Sequence, residues 1–500
     1  MRLTSCLRVV APIAFVWLAK AQSWQDEEEQ SAAARAGYRK VCADIAHRIS
    51  SASQVFYPGD AGYAKDITNW STVNVQNATC SVEPGTAEDV SSIIVILGKS
   101  RTPFGIKGGG HSPNRGFTST PGVLIAMSRF SKVSYDAEHK TAEIGAGLIW
   151  DEVYEALEPH GVSVVGGRVS GVGVAGLVLG GGYSWHTNQR GLALDTVVAY
   201  ELIRPDGNIV QVDDKSYPDL FFGLKGGFNN FGIVTKFTMK AFPQTQVWGG
   251  VVIYAEESIP QIKAAVTRFV NKVTDPKASM ITAFNAIPGE VLVAQLMFYD
   301  APTPPAGVFD AFMKIPSITA DVSTRSLLSL IQSSPANSSY GERNAFHTTP
   351  IQRYSPVVID AIVNETMFWG TKLADKTATV ITYAIEPFLA DILSFNSVTS
   401  AYPPQRIYGL SPFDISFSWI SAAYDDNFKM AGELSARQLR KVVLADGQAG
   451  ARKGALYPNY APVGTSLKAM YGSNVPRLQE LKCTYDPHNV MGLAGGFKFV

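Results

Sequence analysis

The chain has 500 residues, of which 46% are hydrophobic and 17% charged, with 43 basic side chains balanced by 43 acidic ones. That composition excludes a wholly disordered chain, and zero formal charge recommends neither nucleic acid nor an anionic membrane surface as a partner. Four cysteines are too few for a disulfide-built scaffold or a Cys-rich metal cluster, and the length predicts two domains.

Arg2 and Arg8 precede an uncharged run over residues 9–19, and Ala19-Lys20-Ala21 places small residues where a signal peptidase reads. Residues 1–21 are expected to be a secretory leader cleaved after Ala21, since the run falls well short of the ~20 residues a membrane span needs. The expected location is therefore secreted or in the endomembrane lumen, with no membrane contact once the leader is gone. Asn69, Asn77, Asn337 and Asn364 each open a glycosylation acceptor triplet. Loss of Cys6 with the leader leaves Cys42, Cys80 and Cys483. An oxidising compartment permits one bridge, and Cys42–Cys80 is the pairing expected, although spacing alone leaves open which thiol stays over.

A helix is expected over about residues 37–51. Thr86-Ala87-Glu88-Asp89 reads as a capping box, and Val90, Ile93, Ile94 and Leu97 follow on one helical stripe. Residues 104–107 read as a strand running into Gly108-Gly109-Gly110-His111-Ser112. Short strands follow at 123–125, 141–144, 162–165 and 197–203, and Pro205-Asp206-Gly207-Asn208 closes a hairpin to 209–212. Ile149, Trp150, Val153, Tyr154 and Leu157 share a helical face, whereas Phe237, Met239 and Ala241 alternate with polar residues as in a half-buried strand. From about residue 246 the texture changes. Strands are expected at 247–255, 279–287, 291–299 and 411–421, with helices around Ile262–Val273 and from Asp425 to about 440. This reads as a second domain of antiparallel strands covered by helices, and the fold class as α+β.

Residues 101–232 hold 23 of the 44 glycines, a density that asks for positive-φ turns or for backbone approaching something closely. Gly171-Val172-Gly173-Val174-Ala175-Gly176 matches G-x-G-x-x-G, with Asp195 nineteen residues on. A dinucleotide-binding Rossmann reading is rejected, because that motif must open a full helix and Gly180-Gly181-Gly182 stops one, each glycine costing about 1 kcal/mol. Three consecutive glycines before His111 let backbone N–H groups converge on an anion such as a pyrophosphate, though from the residues alone a plain glycine turn is slightly favoured.

The order of these segments carries more than any one of them. Residues 105–112, Ile144-Gly145-Ala146-Gly147, residues 171–184, residues 226–235, Tyr457-Pro458-Asn459-Tyr460 and Tyr485-Asp486-Pro487-His488-Asn489 together resemble the vanillyl-alcohol oxidase/p-cresol methylhydroxylase superfamily, in its berberine bridge enzyme-like branch. The resemblance implies an FAD-binding domain over 22–245 (core about 75–245), a substrate-binding α+β domain over 246–455, and a C-terminal segment, 456–500, that returns to the FAD domain. It implies FAD bonded covalently through His111. The backbone of Ile106, Lys107, Gly108, Gly109, Gly110, His111 and Ser112 would hold cofactor oxygens. Gly173, Gly176, Gly181 and Gly182 would pass close to the cofactor, Ile233 and Val234 would lie along its adenine end, and Asn459 would touch it.

Two departures qualify the resemblance. Some relatives tether the flavin a second time through a cysteine; the matching position here is Val169, and residues 81–482 contain no cysteine, so one linkage is expected. A further family base on a substrate-domain strand should fall near Ser416-Phe417-Ser418-Trp419, where no ionisable residue stands. Val172 matches a position whose residue admits or blocks dioxygen near the flavin in relatives, valine being the permissive type. Tyr457 and Tyr460 match a tyrosine pair of which one deprotonates a substrate hydroxyl, a role that requires its pKa to fall from about 10 or its proton to be shared. The resulting expectation is an FAD-dependent oxidase passing hydride from an alcohol, sugar or secondary metabolite to flavin N5, with dioxygen reduced to hydrogen peroxide. The alternatives are a dehydrogenase with a quinone acceptor, a flavin-fold catalyst of a non-redox cyclisation, and a binding protein with a vestigial cofactor site.

Overall fold

A computed structural model describes residues 33–334, 339–395, 398–406 and 409–500. The expected leader and Asn337 lie outside the described residues.

The first layer grows from a helix over residues 33–48, whose Cys42 is bridged to Cys80, the first residue of the strand Cys80–Glu83. That strand lies in a four-stranded sheet ordered Gln54–Phe56, Cys80–Glu83, Val123–Ala126, Phe104–Lys107, the last three mutually parallel. The crossover between Cys80–Glu83 and Phe104–Lys107 is the helix Ala87–Ser100, as parallel strands require. Its stripe Val90, Ile93, Ile94 and Leu97 is wholly buried. Only half of the capping box forms: Thr86 accepts from the Asp89 N–H, but the Asp89 carboxylate turns away to accept from Ser50 and Ser53.

The second layer is a five-stranded antiparallel sheet, ordered Val133–Asp136, Thr141–Gly145, Ile233–Lys240, Val197–Ile203, Ile209–Asp213. Gly207, at φ 89°, closes the expected hairpin. The strand expected at 162–165 shortens to Val162–Ser163.

The third layer is a seven-stranded antiparallel sheet, ordered Thr319–Arg325, Val247–Tyr254, Glu290–Tyr299, Ala278–Ile287, Ala378–Ile385, Phe413–Trp419, Arg343–Thr348. Helices Ile259–Lys272, Pro356–Leu373 and Asp425–Ala445 cover one face. Strand periodicity decides what faces where. On Phe413–Trp419 the residues Phe413, Ile415, Phe417 and Trp419 pack under the helices, and Trp419 stacks on Phe428 at 4.4 Å. Asp414, Ser416 and Ser418 point the other way, into a cavity.

The chain then returns to the glycine-rich layers. Ala494 pairs with Phe104, and Asn230 donates to the Phe497 carbonyl while accepting from the Phe499 N–H. These layers make the α+β fold expected. Among the described residues no helix is long and apolar enough to cross a membrane.

One acceptor triplet is corrected. Asn69 is only 3% exposed, donating to the Ile67 carbonyl and accepting from Thr118, so its amide has no room for a glycan. Asn77 and Asn364 are exposed.

Candidate active site

Strand Phe104–Lys107 delivers the first glycine loop, and the Gly171–Gly176 turn delivers the second. The two loops interlock at backbone distance: a Cβ on Gly109 would lie 2.5 Å from the Gly173 Cα, and one on Gly173 would lie 2.6 Å from the Gly109 nitrogen. Trp150 N–H to the Val172 carbonyl and Val174 N–H to the Leu148 carbonyl pin the second loop. The helix that follows, Val174–Leu179, lasts six residues and stops at Gly180, which is why the dinucleotide reading fails. Asp195, which that reading would place on a ribose, is instead paired with Arg406 at 2.7 Å.

Between these loops and the open face of the seven-stranded sheet lies a cavity of about 740 Å³. Of the residues singled out in the sequence, it brings together Ile106, Gly108, Gly109, Gly110, His111, Ser112, Val172, Gly173, Gly176, Ile233, Val234, Tyr457, Asn459 and Tyr460, and also Val169. Three others do not line it. Lys107 follows Ile106 on a strand and points to the opposite side, where its ammonium donates to the carbonyls of Lys65, Asp66 and Thr68 at 2.5–3.3 Å and closes the end of helix Ala61–Ile67. Gly181 faces the rings of Tyr402 and Tyr457, and Gly182 packs on Leu177 and Ala193. Their φ values of 129° and 85° show that these glycines serve the turn.

His111 sits at the cavity with its ring stacked on Trp70, centroids 4.4 Å apart and planes within 13°. Its Nε2 is buried and has no hydrogen-bond partner in the protein. Burial pushes its pKa down to about 4, so the imidazole is neutral at pH 7.

The tyrosines differ in their surroundings. Tyr457 accepts at its oxygen from the Gly182 N–H at 3.2 Å and from Asn459 Nδ2 at 2.9 Å. Burial raises its pKa, and these donors oppose the rise. Tyr460 donates to Glu386 Oε1 at 3.2 Å and accepts from Arg168 Nη2 at 3.2 Å. Arg168 and Glu386 form a buried ion pair. Burial raises the Glu386 pKa against the opposing pull of Arg168. Asp414 lines the same cavity with Oδ1 unpartnered, and burial holds its pKa well above the carboxylate range.

Arg168, Glu386 and Asp414 were not found by sequence reasoning, nor was Trp70. The expected window for a family base began at Ser416. Asp414, two residues earlier and on the same strand face, was the available signal.

The FAD binding domain family matches residues 78–213, and the berberine and berberine-like family matches residues 457–494. The FAD-dependent monooxygenase sdcF of Emericella nidulans is 30% identical over 470 residues, which cover 90% of this chain and 96% of that protein. The chain belongs to the berberine bridge enzyme-like family of FAD-linked oxidoreductases. An uncharacterized FAD-linked oxidoreductase of Arthroderma benhamiae is 37% identical over 300 residues, 59% of this chain, and the FAD-dependent monooxygenase drtC of Aspergillus calidoustus is 36% identical over 299, 58% of this chain; these matches span 60% and 57% of those relatives' lengths. Among solved structures, a berberine bridge enzyme variant superposes with a TM-score of 0.72 at 17% identity, covering 90% of this chain and 98% of that one. A carbohydrate oxidase from Microdochium nivale superposes with 0.71 at 20% identity, covering 89% and 97%. The matched FAD binding domain gives FAD as the cofactor of this fold. The cavity fits that cofactor: a buried imidazole nitrogen has no protein partner, and a Cβ on Gly176 would meet no atom within 4 Å.

Proposed function

We propose that this protein is an oxidase of the secretory route that takes hydride from a hydroxyl-bearing carbon of an amphipathic small molecule, with dioxygen reduced to hydrogen peroxide. The observation that carries the reading is the placing of neutral His111, with its Nε2 unpartnered, and the Tyr460–Glu386 pair on one cavity. In this reading residues 22–245 and 456–500 hold FAD, and residues 246–455 supply the substrate wall. FAD is bonded once, through His111. The backbone of residues 106–112, with Gly173 and Gly176, would hold it, Ile233 and Val234 would meet its adenine end, and Val172 would leave room for dioxygen.

Bound FAD supplies a hydride acceptor at N5 and a route for the electrons to dioxygen. The proton is handled by the chain. Tyr460 accepts the substrate hydroxyl proton at its oxygen while passing its own to Glu386 Oε1. Burial makes that carboxylate a stronger base than a solvated one. No free phenolate is required. Tyr457, its oxygen already accepting two hydrogen bonds, turns its O–H toward the cavity and orients the substrate oxygen. Asn459 fixes Tyr457 and donates as well to the Leu177 carbonyl.

The sheet face divides along its width. Strands Val247–Tyr254, Glu290–Tyr299 and Ala278–Ile287 contribute Ile253, Ile281, Ala294 and Leu296 with Asn285 as a polar exception, whereas Ala378–Ile385 and Phe413–Trp419 contribute Thr382, Asp414 and Ser416 alongside Val380 and Ala384. A substrate with an apolar body and a hydroxylated end matches both halves. The buried Cys42–Cys80 bridge and the exposed Asn77 and Asn364 support passage through an oxidising, glycosylating compartment.

The curated relatives named monooxygenases favour a second reading, in which oxygen enters the product. The test is turnover on a panel of alcohols with apolar bodies under labelled dioxygen, preceded by an absorbance spectrum before and after acid precipitation. One peroxide per dioxygen consumed, with no label in the product, is expected. Label in the product without peroxide supports the monooxygenase instead. Turnover with a quinone and no oxygen uptake identifies a dehydrogenase.

A further inference from the structure

We propose that Trp70 is the positioning residue for the His111–flavin linkage; this rests on the covalent reading above. A nucleophile that must attack one carbon atom gains most of its advantage from being held in one orientation. A histidine after three glycines has little backbone restraint of its own. His111 lies in such a loop, its Nε2 has no protein partner, and the restraint comes from the Trp70 ring at 4.4 Å and 13°.

Trp70 is itself held from both sides. Its backbone N–H donates to the carbonyl of Gly110, the residue before His111, at 3.0 Å, and its backbone carbonyl accepts from Gly341 N–H at 2.9 Å. Phe346 lies behind the indole at 5.4 Å. The neighbouring Asn69 and the Lys107 stem sit where a Cβ on Gly110 would fall, 2.9 and 2.8 Å away, so the loop beneath the imidazole is wedged as well. The backbone of residue 70 thus ties the glycine loop to the segment before strand Arg343–Thr348, and the indole lies between His111 and Phe346, a residue of that strand.

The net linkage exchanges a methyl C–H bond and the imidazole N–H for one C–N bond. Two protons and two electrons leave, and dioxygen takes them up as hydrogen peroxide. No protein group needs to act as oxidant. Trp70 contributes geometry only, so its loss should slow bond formation without emptying the cavity.

The experiment compares wild type, Trp70→Leu, Trp70→Phe and Phe346→Ala, each produced with little flavin and incubated aerobically with FAD. Total bound flavin is read before acid precipitation and pellet-bound flavin after it, over time. Trp70→Leu should bind FAD at wild-type stoichiometry and melt near the wild-type temperature, yet link it on the order of tenfold more slowly. Trp70→Phe, which keeps a ring over the imidazole, should recover most of the rate. If Trp70→Leu does not fold, Phe346→Ala decides, with an expected slowing of about threefold. Linkage at the wild-type rate in Trp70→Leu, or in Phe346→Ala when that variant decides, overturns the proposal. Wild-type flavin released into the acid supernatant overturns the covalent reading itself, a distinct result.

Discussion

Arg168 and Glu386, 218 residues apart in the chain, meet as an ion pair inside the cavity wall, one 8% and the other 1% exposed. Breaking such a pair from one side strands the remaining charge where water cannot reach it. Glu386→Ala should therefore cost roughly 3–5 kcal/mol of stability, and the double replacement Arg168→Met/Glu386→Met less than either single change. Denaturant midpoints of the three variants measure this, provided each unfolds in one step.

The Tyr460–Glu386 relay fixes the sign of a pH effect. The carboxylate must be ionised to take the proton, and burial raises its pKa above the usual value of 4.5. Substrate-driven flavin bleaching under anaerobic conditions should slow as pH falls through that raised pKa. Tyr460→Phe should slow the step by about 10²–10⁴-fold, and Glu386→Gln should flatten the acid limb. Stopped-flow rates across pH, with flavin content measured in parallel, give the result.

Two glycines on the same cavity should respond in opposite ways. In Gly109→Ala the new methyl would strike the backbone of the other loop at 2.5 Å, with no flexible side chain to yield, so the folded protein should be lost or severely destabilised. Gly176→Ala meets no atom within 4 Å and lies in a helix, where alanine gains up to about 1 kcal/mol over glycine. Its cofactor-free form should melt higher than wild type and bind less flavin. Melting curves and absorbance at the flavin band test both.

His347 offers a separate acid-stability prediction. It is 5% exposed, its Nε2 lacks a partner, and burial pushes its pKa down to about 4. The unfolded chain takes up a proton near pH 6.5, before the folded one does, so the stability that burial of the neutral ring allows is lost as pH falls from about 6.5 towards 4. His347→Leu should flatten the fall of melting temperature over that window. Glu433 faces the ring and partly offsets the effect by favouring the charged form.

What could be read from the sequence was local. Residues 105–112 and 171–182 could be placed because a glycine run is its own signal, and Thr86 could be placed because a cap lies three residues from its donor. Residues 457–460 could be paired with those loops only through the resemblance. Arg168, Glu386 and Asp414 could not be read in the same way, because their meeting depends on a loop of the glycine-rich layers docking against the ends of two paired strands, with Arg168 and Glu386 218 residues apart. Asp414 lies two residues before the expected window, on the same face as Ser416 and Ser418, and period-2 spacing alone would have pointed to it. Asn69 shows the converse. Its triplet is a perfect acceptor pattern, but nothing local reveals that Thr118 and Ile67 enclose its amide.

The cavity draws its walls from both ends of the chain. Trp70 and His111 stand on one side, and Tyr457, Asn459, Tyr460, Gly495 and Gly496 complete it. During synthesis the glycine loops emerge hundreds of residues before residues 457–496, the segment that closes over them. A nascent chain therefore has an unfinished pocket until residues 457–496 have been made. Cofactor loading waits for that segment, and a product that stopped short of it would emerge with an open-ended site.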